Sequence, residues 1–335
     1  MPIPAVEGTW SELIDRIHAR RRFLVSSHIH PDGDAIGSSL AFKRMVESLG
    51  KEVQWVMDSD PGPMFARFYQ PSELDVFQAG GGDFSNRDAI VMVDACEWSR
   101  LGKLGEVLQS HPADKICVDH HLPKDSFAGL QIADPSSPST TVLLYRLLRK
   151  MEIRLTKEIA EPIYLGLIVD TQNFHLPNTT VEAHQIAAEC LRAGVDPTWV
   201  HEPIFGTNRF SRLRLIAEAF QTAQVYFQGA VAVMVTTQAM FRDAGAAAWE
   251  DEGFSDWVRT IEGVKVGIYI REESDGRIKV SWRAKGDNNV AVSARRFGGG
   301  GHLRAAGAIV EGKLEEVRER VLADLKQRLE NGEIF

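Results

Sequence analysis

Aspartate and histidine residues recur in four short segments of this chain, in a pattern that could bind metal ions. The segments are His28-Ile29-His30-Pro31-Asp32-Gly33-Asp34-Ala35, Val91-Met92-Val93-Asp94, Val118-Asp119-His120-His121 and Leu167-Ile168-Val169-Asp170. The first three follow apolar, strand-like runs, so their polar residues stand where a strand would end. Open α/β sheets bind ligands at the carboxyl ends of their parallel strands. Carboxylate oxygens mixed with imidazole nitrogens suit Mn²⁺, Mg²⁺ or a similar divalent ion, which predicts a two-metal phosphoesterase.

The donor set matches what phosphate ester hydrolysis requires. Two divalent ions about 3.5–4 Å apart can activate water near neutral pH and stabilise charge on the phosphoryl oxygens. Four carboxylates would balance the two ions, and two imidazoles would complete their ligand shells. The residues expected in these roles are Asp32, Asp34, Asp94, Asp170, His28 and His120. A tight turn through Pro31 and Gly33 could aim Asp32 and Asp34 at one pocket.

The elements around these segments predict an α/β protein with a mostly parallel sheet and helices on both faces. Strands are predicted at 23–27, 52–57, 89–94 and 115–119, with helices at 35–49, 140–150, 157–170 and 181–193. A further helix at 208–224 is predicted to connect two domains. Beyond it, strands at 230–236, 264–271, 277–284 and 307–311 and helices at 290–297 and 314–329 form a smaller α/β domain.

A basic, glycine-rich segment in the second domain forms the other chemical signal. Between Gly276 and Arg304 there are seven Lys or Arg residues against one Asp, a local excess of +6. Backbone amides of Gly299, Gly300 and Gly301 could approach a phosphate closely. His302 adds a donor, and Arg283 and Lys285 could grip phosphate oxygens. The segment predicts a site for a small, highly charged anion.

Composition narrows the class of protein. With 335 residues the chain can form two domains, and its net charge of −8 argues against broad binding of long duplex DNA. Neither an apolar run of membrane-spanning length nor a secretion signal is evident, so a cytoplasmic location is expected. The three cysteines, Cys96, Cys117 and Cys190, are scattered and are expected to be reduced.

The four segments resemble the motifs of the DHH phosphoesterase superfamily. The first motif, His-x-x-Pro-Asp-x-Asp-x-x-Gly, corresponds to residues 28–37, and Asp94, Asp119-His120-His121 and Asp170 supply the other three. The Gly-Gly-Gly-His run and Ser281-x-Arg283-x-Lys285 resemble the DHHA1 substrate-binding domain of the same superfamily. The resemblance implies a DHH domain at 1–200, a helical linker at 201–224 and a DHHA1 domain at 225–335, with the active site in the cleft between the domains.

The resemblance also implies the roles of the site residues. His28, Asp32 and Asp94 would hold one metal, and Asp34, Asp94, His120 and Asp170 the other, with Asp94 as the bridge. Asp119 would orient a histidine, and His121 would face the substrate phosphate. The residues implied to bind substrate are Ser281, Arg283, Lys285, Gly299, Gly300, Gly301 and His302.

At this length the chain is similar to the nanoRNase and pAp phosphatase group. That group cleaves short oligonucleotides to mononucleotides and converts 3′-phosphoadenosine 5′-phosphate to AMP. Two divalent ions are expected, Mn²⁺ first, with Mg²⁺ or Co²⁺ as alternatives, and a homodimer is left open. The alternative functions are an inorganic pyrophosphatase, a single-strand-specific exonuclease, or a nucleotide-binding regulator without turnover.

Overall fold

A computed structural model describes residues 7–77, 82–121 and 129–334. Its contacts divide the chain into two units, Met1–Thr207 and Asn208–Phe335. Each unit has its own hydrophobic core. Among the described residues, no helix is both long enough and apolar enough to cross a membrane.

The first unit is built on a six-stranded sheet in which all neighbouring strands are parallel. The strands are β1 (Arg22–Ser26), β2 (Glu52–Met57), β3 (Leu74–Val76), β4 (Ala89–Val93), β5 (Asp114–Asp119) and β6 (Leu130–Ala133). Their order in space is β3-β2-β1-β4-β5-β6. The strand order therefore reverses between β1 and β4, which is where such sheets form a ligand-binding crevice.

Helices cover both faces of this sheet, as the sequence predicts. They are α1 (Glu7–Ala19), α2 (Gly33–Glu47), α3 (Gly102–Ser110), α4 (Thr140–Lys150), α5 (Lys157–Asp170), α6 (Val181–Arg192) and α7 (Pro197–His201). Phe23 and Trp55 belong to the larger core with residues of α2, α4 and α5, whereas Leu24 and Met92 pack with α3 on the opposite face. Burial on both faces explains why these strands are almost continuously apolar.

The packing of α5 against α2 and α4 depends on a small residue. A Cβ atom at Gly166 would lie 2.4 Å from Oδ1 of Asp34 and 2.5 Å from Cγ2 of Thr141. Such a distance is far inside van der Waals contact, so a larger residue would push the helices apart. Gly166 thus lets the helix that carries Asp170 approach the helix that carries Asp34.

The second unit contains a mixed six-stranded sheet in the order β11-β12-β10-β9-β8-β7. Its elements are α8 (Phe210–Gln221), β7 (Gln224–Tyr226), β8 (Val231–Thr236), α9 (Gln238–Ala244), α10 (Phe254–Thr260), β9 (Val266–Glu272), β10 (Ile278–Ala284), α11 (Val290–Arg296), β11 (Gly300–Gly301), β12 (Ala305–Val310) and α12 (Leu314–Glu330). Leu215 and Ala219 place α8 in the core of this unit, on the sheet face that α9 and α10 also cover.

The cysteines differ from the sequence prediction. Cys96 and Cys117 are joined in a disulfide with their Cα atoms 5.8 Å apart, while Cys190 is free and buried. The prediction that all three are reduced is therefore wrong for this pair. Cys117 lies on β5, and Cys96 follows the neighbouring strand β4. A separation of 21 residues in sequence gave no sign of this contact.

Candidate metal centre

The carboxyl ends of three adjacent strands bring most of the predicted ligands together. His28 follows β1, Asp94 follows β4, and His120 follows Asp119 at the end of β5. Because β1 pairs with β4 and β4 with β5, these residues lie along one edge of the sheet. Two helices complete the cluster: Asp34 lies in the first turn of α2, and Asp170 is the last residue of α5.

One group of potential ligands consists of His28, Asp32 and Asp94. Each offers an atom within 4.8 Å of the others, and Nε2 of His28 is 3.3 Å from Oδ2 of Asp94. Nδ1 of His28 donates to the carbonyl of Ile29 at 2.9 Å, which leaves Nε2 for a cation. Oδ1 of Asp32 caps α2 by accepting from the amides of Asp34 and Ala35, which leaves Oδ2 as its free oxygen.

Asp34, His120 and Asp170 form a second group on the same distance criterion. Nε2 of His120 is 3.0 Å from Oδ2 of Asp170 and 4.0 Å from Oδ2 of Asp34. Nδ1 of His120 donates to the carbonyl of Ser137 at 3.3 Å, so Nε2 again faces the carboxylates.

Asp94 lies between the two groups. Its Oδ2 faces Nε2 of His28 at 3.3 Å, and its Oδ1 is 3.6 Å from Nε2 of His120. Its backbone is in the left-handed region, with a φ of 56°, which Asp tolerates better than most residues but at a cost in strain. The position of its two oxygens is the one expected of a carboxylate that bridges two ions.

His121 is paired with Asp119 and also belongs to this cluster, since Asp94, His120 and His121 each offer an atom within 4.8 Å of the others. Nδ1 of His121 donates to Oδ1 of Asp119 at 2.8 Å, and the side chain of His121 is 47% exposed. Burial alone would raise the pKa of Asp119, but the hydrogen bonds from His121 outweigh it and hold that pKa below its ordinary value. Asp119 thus carries a negative charge that orients the imidazole of His121.

The N-terminus of α4 adds contacts that the sequence reasoning missed. The amides of Thr140 and Thr141 donate to Oδ2 and Oδ1 of Asp34 at 2.7 and 3.1 Å. The hydroxyl of Thr140 donates to Oδ1 of Asp94 at 3.1 Å. The signal for the helix start was present, because Ser139 is a favourable N-cap residue. Nothing in the sequence spacing indicated that this helix end contacts two of the predicted ligands.

Electrostatics make this cluster a site for cations. Burial, and then repulsion from neighbouring carboxylates, raises the pKa of Asp94 well above its ordinary value and that of Asp170 to about 8. Burial also raises the pKa of Asp34, against the opposing charge of His120. For His120, burial lowers the pKa, but bonding to Asp170 and the charge of Asp34 outweigh it and raise it to about 9. In the absence of metal, protons balance the negative charge of these buried groups. Divalent ions would balance the same charge, so the donor set fits such ions.

We expect the affinity for Mn²⁺ to rise with pH between 7 and 9. In this range His120 and Asp170 still hold protons that a metal must displace, so a higher pH removes the competitor. The affinity should increase about tenfold per pH unit for each proton displaced. Calorimetric titrations in buffers of different ionisation enthalpy measure both the affinity and the proton count. A dissociation constant that does not change with pH would contradict this picture of the site.

Four of the predicted substrate-binding residues lie on the two strands that flank β12, Ser281 and Arg283 on β10 and Gly300 and Gly301 on β11, and Lys285, Gly299 and His302 lie just outside these strands. Ser281 of β10 is opposite Gly307 of β12, which is opposite Gly300 of β11. Two residues along β10, Arg283 is opposite Ala305, and Ala305 exchanges backbone hydrogen bonds with His302. These residues therefore form neighbouring rows across three strands.

The three glycines predicted to bind substrate are not equivalent in the structure. A Cβ atom at Gly299 would lie 2.1 Å from the carbonyl oxygen of Gly307, and one at Gly301 would lie 2.5 Å from that of Ala305. Both are thus required by the tight β11–β12 hairpin. A Cβ at Gly300 would meet nothing within 4 Å, and the same holds for Gly298, so the exposed backbone at these two residues is open to a ligand.

Salt bridges reduce the basic excess that the sequence suggests. Arg283 lies 3.4 Å from Asp256, a residue of α10 outside the basic segment. Arg296 pairs with Asp324 of α12 in the same way. Nζ of Lys285 donates to the carbonyl of Ile261 at 3.4 Å. A phosphate at this site would therefore compete with Asp256 for the guanidinium of Arg283.

Comparisons with known proteins agree with this architecture. The models of the DHH family N-terminal domain and of the DHHA1 domain match residues 22–167 and 231–331. A bifunctional oligoribonuclease and PAP phosphatase NrnA of Thermus thermophilus is 33% identical, over 91% of this chain and 89% of the relative. The protein of the same name from Bacillus subtilis is 26% identical, over 94% and 97%.

A solved structure has the same fold. The crystal structure of an exopolyphosphatase-related protein from Bacteroides fragilis superposes with a TM-score of 0.90 at 27% identity, covering 98% of this chain and all of that one. Motifs, fold and similarity to these relatives agree over almost the entire chain. The chain therefore belongs to the DHH family of phosphoesterases.

Proposed function

We propose that this protein hydrolyses short oligoribonucleotides to mononucleotides and converts 3′-phosphoadenosine 5′-phosphate to AMP. The observation that carries the proposal is the meeting of His28, Asp34, Asp94, His120 and Asp170 at the carboxyl edge of the first sheet. The two NrnA relatives are named for both activities and match this chain over nearly its whole length.

Two divalent ions would be held by the two groups of ligands, with Asp94 common to both. His28, Asp32 and Asp94 would bind the first ion, and Asp34, Asp94, His120 and Asp170 the second. When bound, the ions supply an activated water and neutralise charge on the phosphoryl oxygens. We propose Mn²⁺ as the working ion, with Mg²⁺ and Co²⁺ to be compared with it, because mixed carboxylate and imidazole sites accept all three.

His121 would contact the substrate phosphate. Asp119 accepts a hydrogen bond from Nδ1 of His121 and so fixes the ring, leaving Nε2 for an oxygen of the substrate. A ring held in this way would present Nε2 to the negative charge that develops as the phosphorus–oxygen bond breaks. Asp119 acts through His121 and is a positioning residue rather than a ligand.

The second unit would bind the terminal phosphate of the substrate. Ser281 and Arg283 on β10 would supply donors, as would His302 just after β11, and Gly300 of β11 leaves its backbone accessible. Lys285 and the hairpin formed by Gly299 and Gly301 complete the proposed site. A substrate held by one end would explain a preference for short oligonucleotides over long ones.

Replacing Arg283 or His302 with Ala should impair the use of dinucleotides and of 3′-phosphoadenosine 5′-phosphate. Losing one charge-assisted contact should cost about 1.5–3 kcal/mol, or roughly 10- to 150-fold in kcat/KM, with most of the change in KM. Hydrolysis of bis-p-nitrophenyl phosphate should change far less, because this small ester has no terminal phosphate.

The matched control is Arg277→Ala, which removes an exposed arginine that pairs with Asp275 at the β9–β10 turn. It should leave nucleotide hydrolysis within about twofold of wild type, as for a surface change away from special features. Equal losses of Arg283→Ala on the nucleotide and on the small ester would show that Arg283 serves the chemical step instead.

Substrate panels separate this proposal from its alternatives. A dinucleotide, a 24-residue RNA, 3′-phosphoadenosine 5′-phosphate and pyrophosphate would be compared in Mn²⁺. We expect turnover of the dinucleotide and of the bisphosphate. Exclusive turnover of pyrophosphate would indicate a pyrophosphatase, degradation of the long RNA a single-strand exonuclease, and binding without turnover of any substrate a regulator.

We further propose a cytoplasmic location. Light scattering would test whether the protein forms a homodimer. Stable disulfides persist mainly in oxidising compartments, so the state of the Cys96–Cys117 pair in the cell is itself a test of the proposed location. Cell fractionation, combined with thiol counting after acid quenching, tests the location and the state of this pair together.

A further inference from the structure

The hydroxyl of Thr140 makes a contact that motif matching does not reveal. Thr140 is fully buried at the first position of α4, and its Oγ1 donates to Oδ1 of Asp94 at 3.1 Å. Asp94 is itself only 1% exposed. The contact therefore joins two buried side chains that are 46 residues apart in sequence.

This contact determines how Asp94 can use its two oxygens. Oδ2 faces His28 and Oδ1 faces His120, so the carboxylate lies with one oxygen toward each ligand group. Rotation about the bond to the carboxylate would let both oxygens chelate one ion, which leaves the other group without its shared ligand. A donor fixed on Oδ1 opposes that rotation, because turning the carboxylate would break a buried hydrogen bond.

The same helix end fixes the neighbouring ligand. The amides of Thr140 and Thr141 hold both oxygens of Asp34. These amides belong to the positive end of α4, which stabilises a carboxylate. One residue, Thr140, thus contacts a ligand of the second group through its backbone and the shared ligand through its side chain.

We propose that Thr140 is a positioning residue that keeps Asp94 in the bridging orientation and thereby couples the two metal ions. The inference rests on the proposed two-metal function and extends it to a residue outside the four motifs. Residues that orient a ligand typically change metal affinity or activity by 10- to 100-fold when they are replaced. Loss of the hydroxyl should therefore lower the affinity for the second Mn²⁺ ion more than the affinity for the first.

The experiment compares wild type with Thr140→Val and Thr140→Ser. Calorimetry with Mn²⁺ gives the two dissociation constants, and electron paramagnetic resonance reports whether two Mn²⁺ ions are spin-coupled through a shared ligand. For Thr140→Val we expect the weaker site to lose roughly 10- to 100-fold in affinity and the coupled signal to disappear. Thr140→Ser retains the hydroxyl and should restore both.

The matched control is Thr236→Val, which makes the same change at a fully buried threonine of the second unit. The Thr236 hydroxyl pairs with the hydroxyl of Tyr269 at 2.5 Å rather than with a predicted ligand. We expect this variant to keep the coupled signal. Should Thr140→Val not fold, Thr140→Ala and Thr140→Ser provide the same comparison, since they differ only in the hydroxyl.

The outcomes distinguish this inference from the proposed function. If wild type binds no pair of ions, the two-metal proposal fails, and the inference fails with it. If wild type shows a coupled pair and Thr140→Val shows the same pair with unchanged affinities, only the role of Thr140 is overturned.

Discussion

Asp94→Ala is expected to abolish hydrolysis and to weaken the binding of both metal ions. Asp94 lies between the two ligand groups, with Oδ2 3.3 Å from His28 and Oδ1 3.6 Å from His120. Removing it withdraws a ligand from each ion. It also removes the negative charge that reduces the repulsion between the two positive ions. A loss of several kcal/mol of charge stabilisation corresponds to at least about a 10³-fold lower rate. Turnover of a dinucleotide, with metal content measured by mass spectrometry, checks the result.

The control comes from the opposite end of the same strand. Asp88 precedes β4 and accepts hydrogen bonds from the amide and the guanidinium of Arg22, which lower the pKa of Asp88 to about 2. Asp88→Ala should lower the melting temperature while keeping both ions and most of the activity. An Asp94→Ala protein that retained more than a tenth of the wild-type rate with full metal content would exclude the bridging role.

The sequence predicted several elements of the first unit well because their core-facing residues are buried, although helices α1, α3 and α7 were not predicted. The strand at 52–57 and the helices at 140–150 and 157–170 have the predicted bounds. Strands β3 and β6 were missed, because Leu74–Val76 and Leu130–Ala133 are short and lie at the edges of the sheet. Edge strands carry less of the apolar pattern on which such predictions depend.

The second unit was predicted less completely. The expected 208–224 helix appears as Phe210–Gln221, but it packs in the core of the second unit. Helices α9 and α10 were missed, since each has only seven residues and shows little periodicity. The strand that carries Ser281 and Arg283 was predicted because Ile278, Val280 and Trp282 alternate with polar residues along it.

The site residues were also predicted only in part. Motif spacing identified side chains that follow strand ends, since parallel topology brings those ends to one edge. It did not identify Thr140, whose contact with Asp94 depends on how α4 packs against α2 and α5. It also overestimated the basic excess near Arg283, because Asp256 lies on a helix outside the counted segment. Contacts that depend on helix packing leave no periodic signature in the sequence.

His121→Ala should keep both metal ions and lose rate by roughly 10²- to 10³-fold, as expected when one donor to the developing charge is removed. The two adjacent histidines have different closest partners. His120 points Nε2 at Asp170 and Asp34, whereas His121 is bonded to Asp119 and is about half exposed. Rates with a dinucleotide, measured at saturating Mn²⁺ together with the Mn²⁺ dissociation constants, test the prediction.

Two other histidine variants serve as controls for His121→Ala. His120→Ala should lose affinity for the metal at the Asp34–Asp170 group, because His120 contributes a nitrogen to it. His111→Ala should affect neither rate nor metal binding, since His111 precedes β5 at the opposite edge of the sheet and accepts from the amide of Ala113.

Nδ1 of His121 also lies 3.4 Å from Oδ1 of Asp94, so a direct metal contact is the competing assignment. Depletion of metal in His121→Ala but not in His120→Ala would reverse the two roles, and Asp119 would then orient a ligand rather than a group that faces the phosphate.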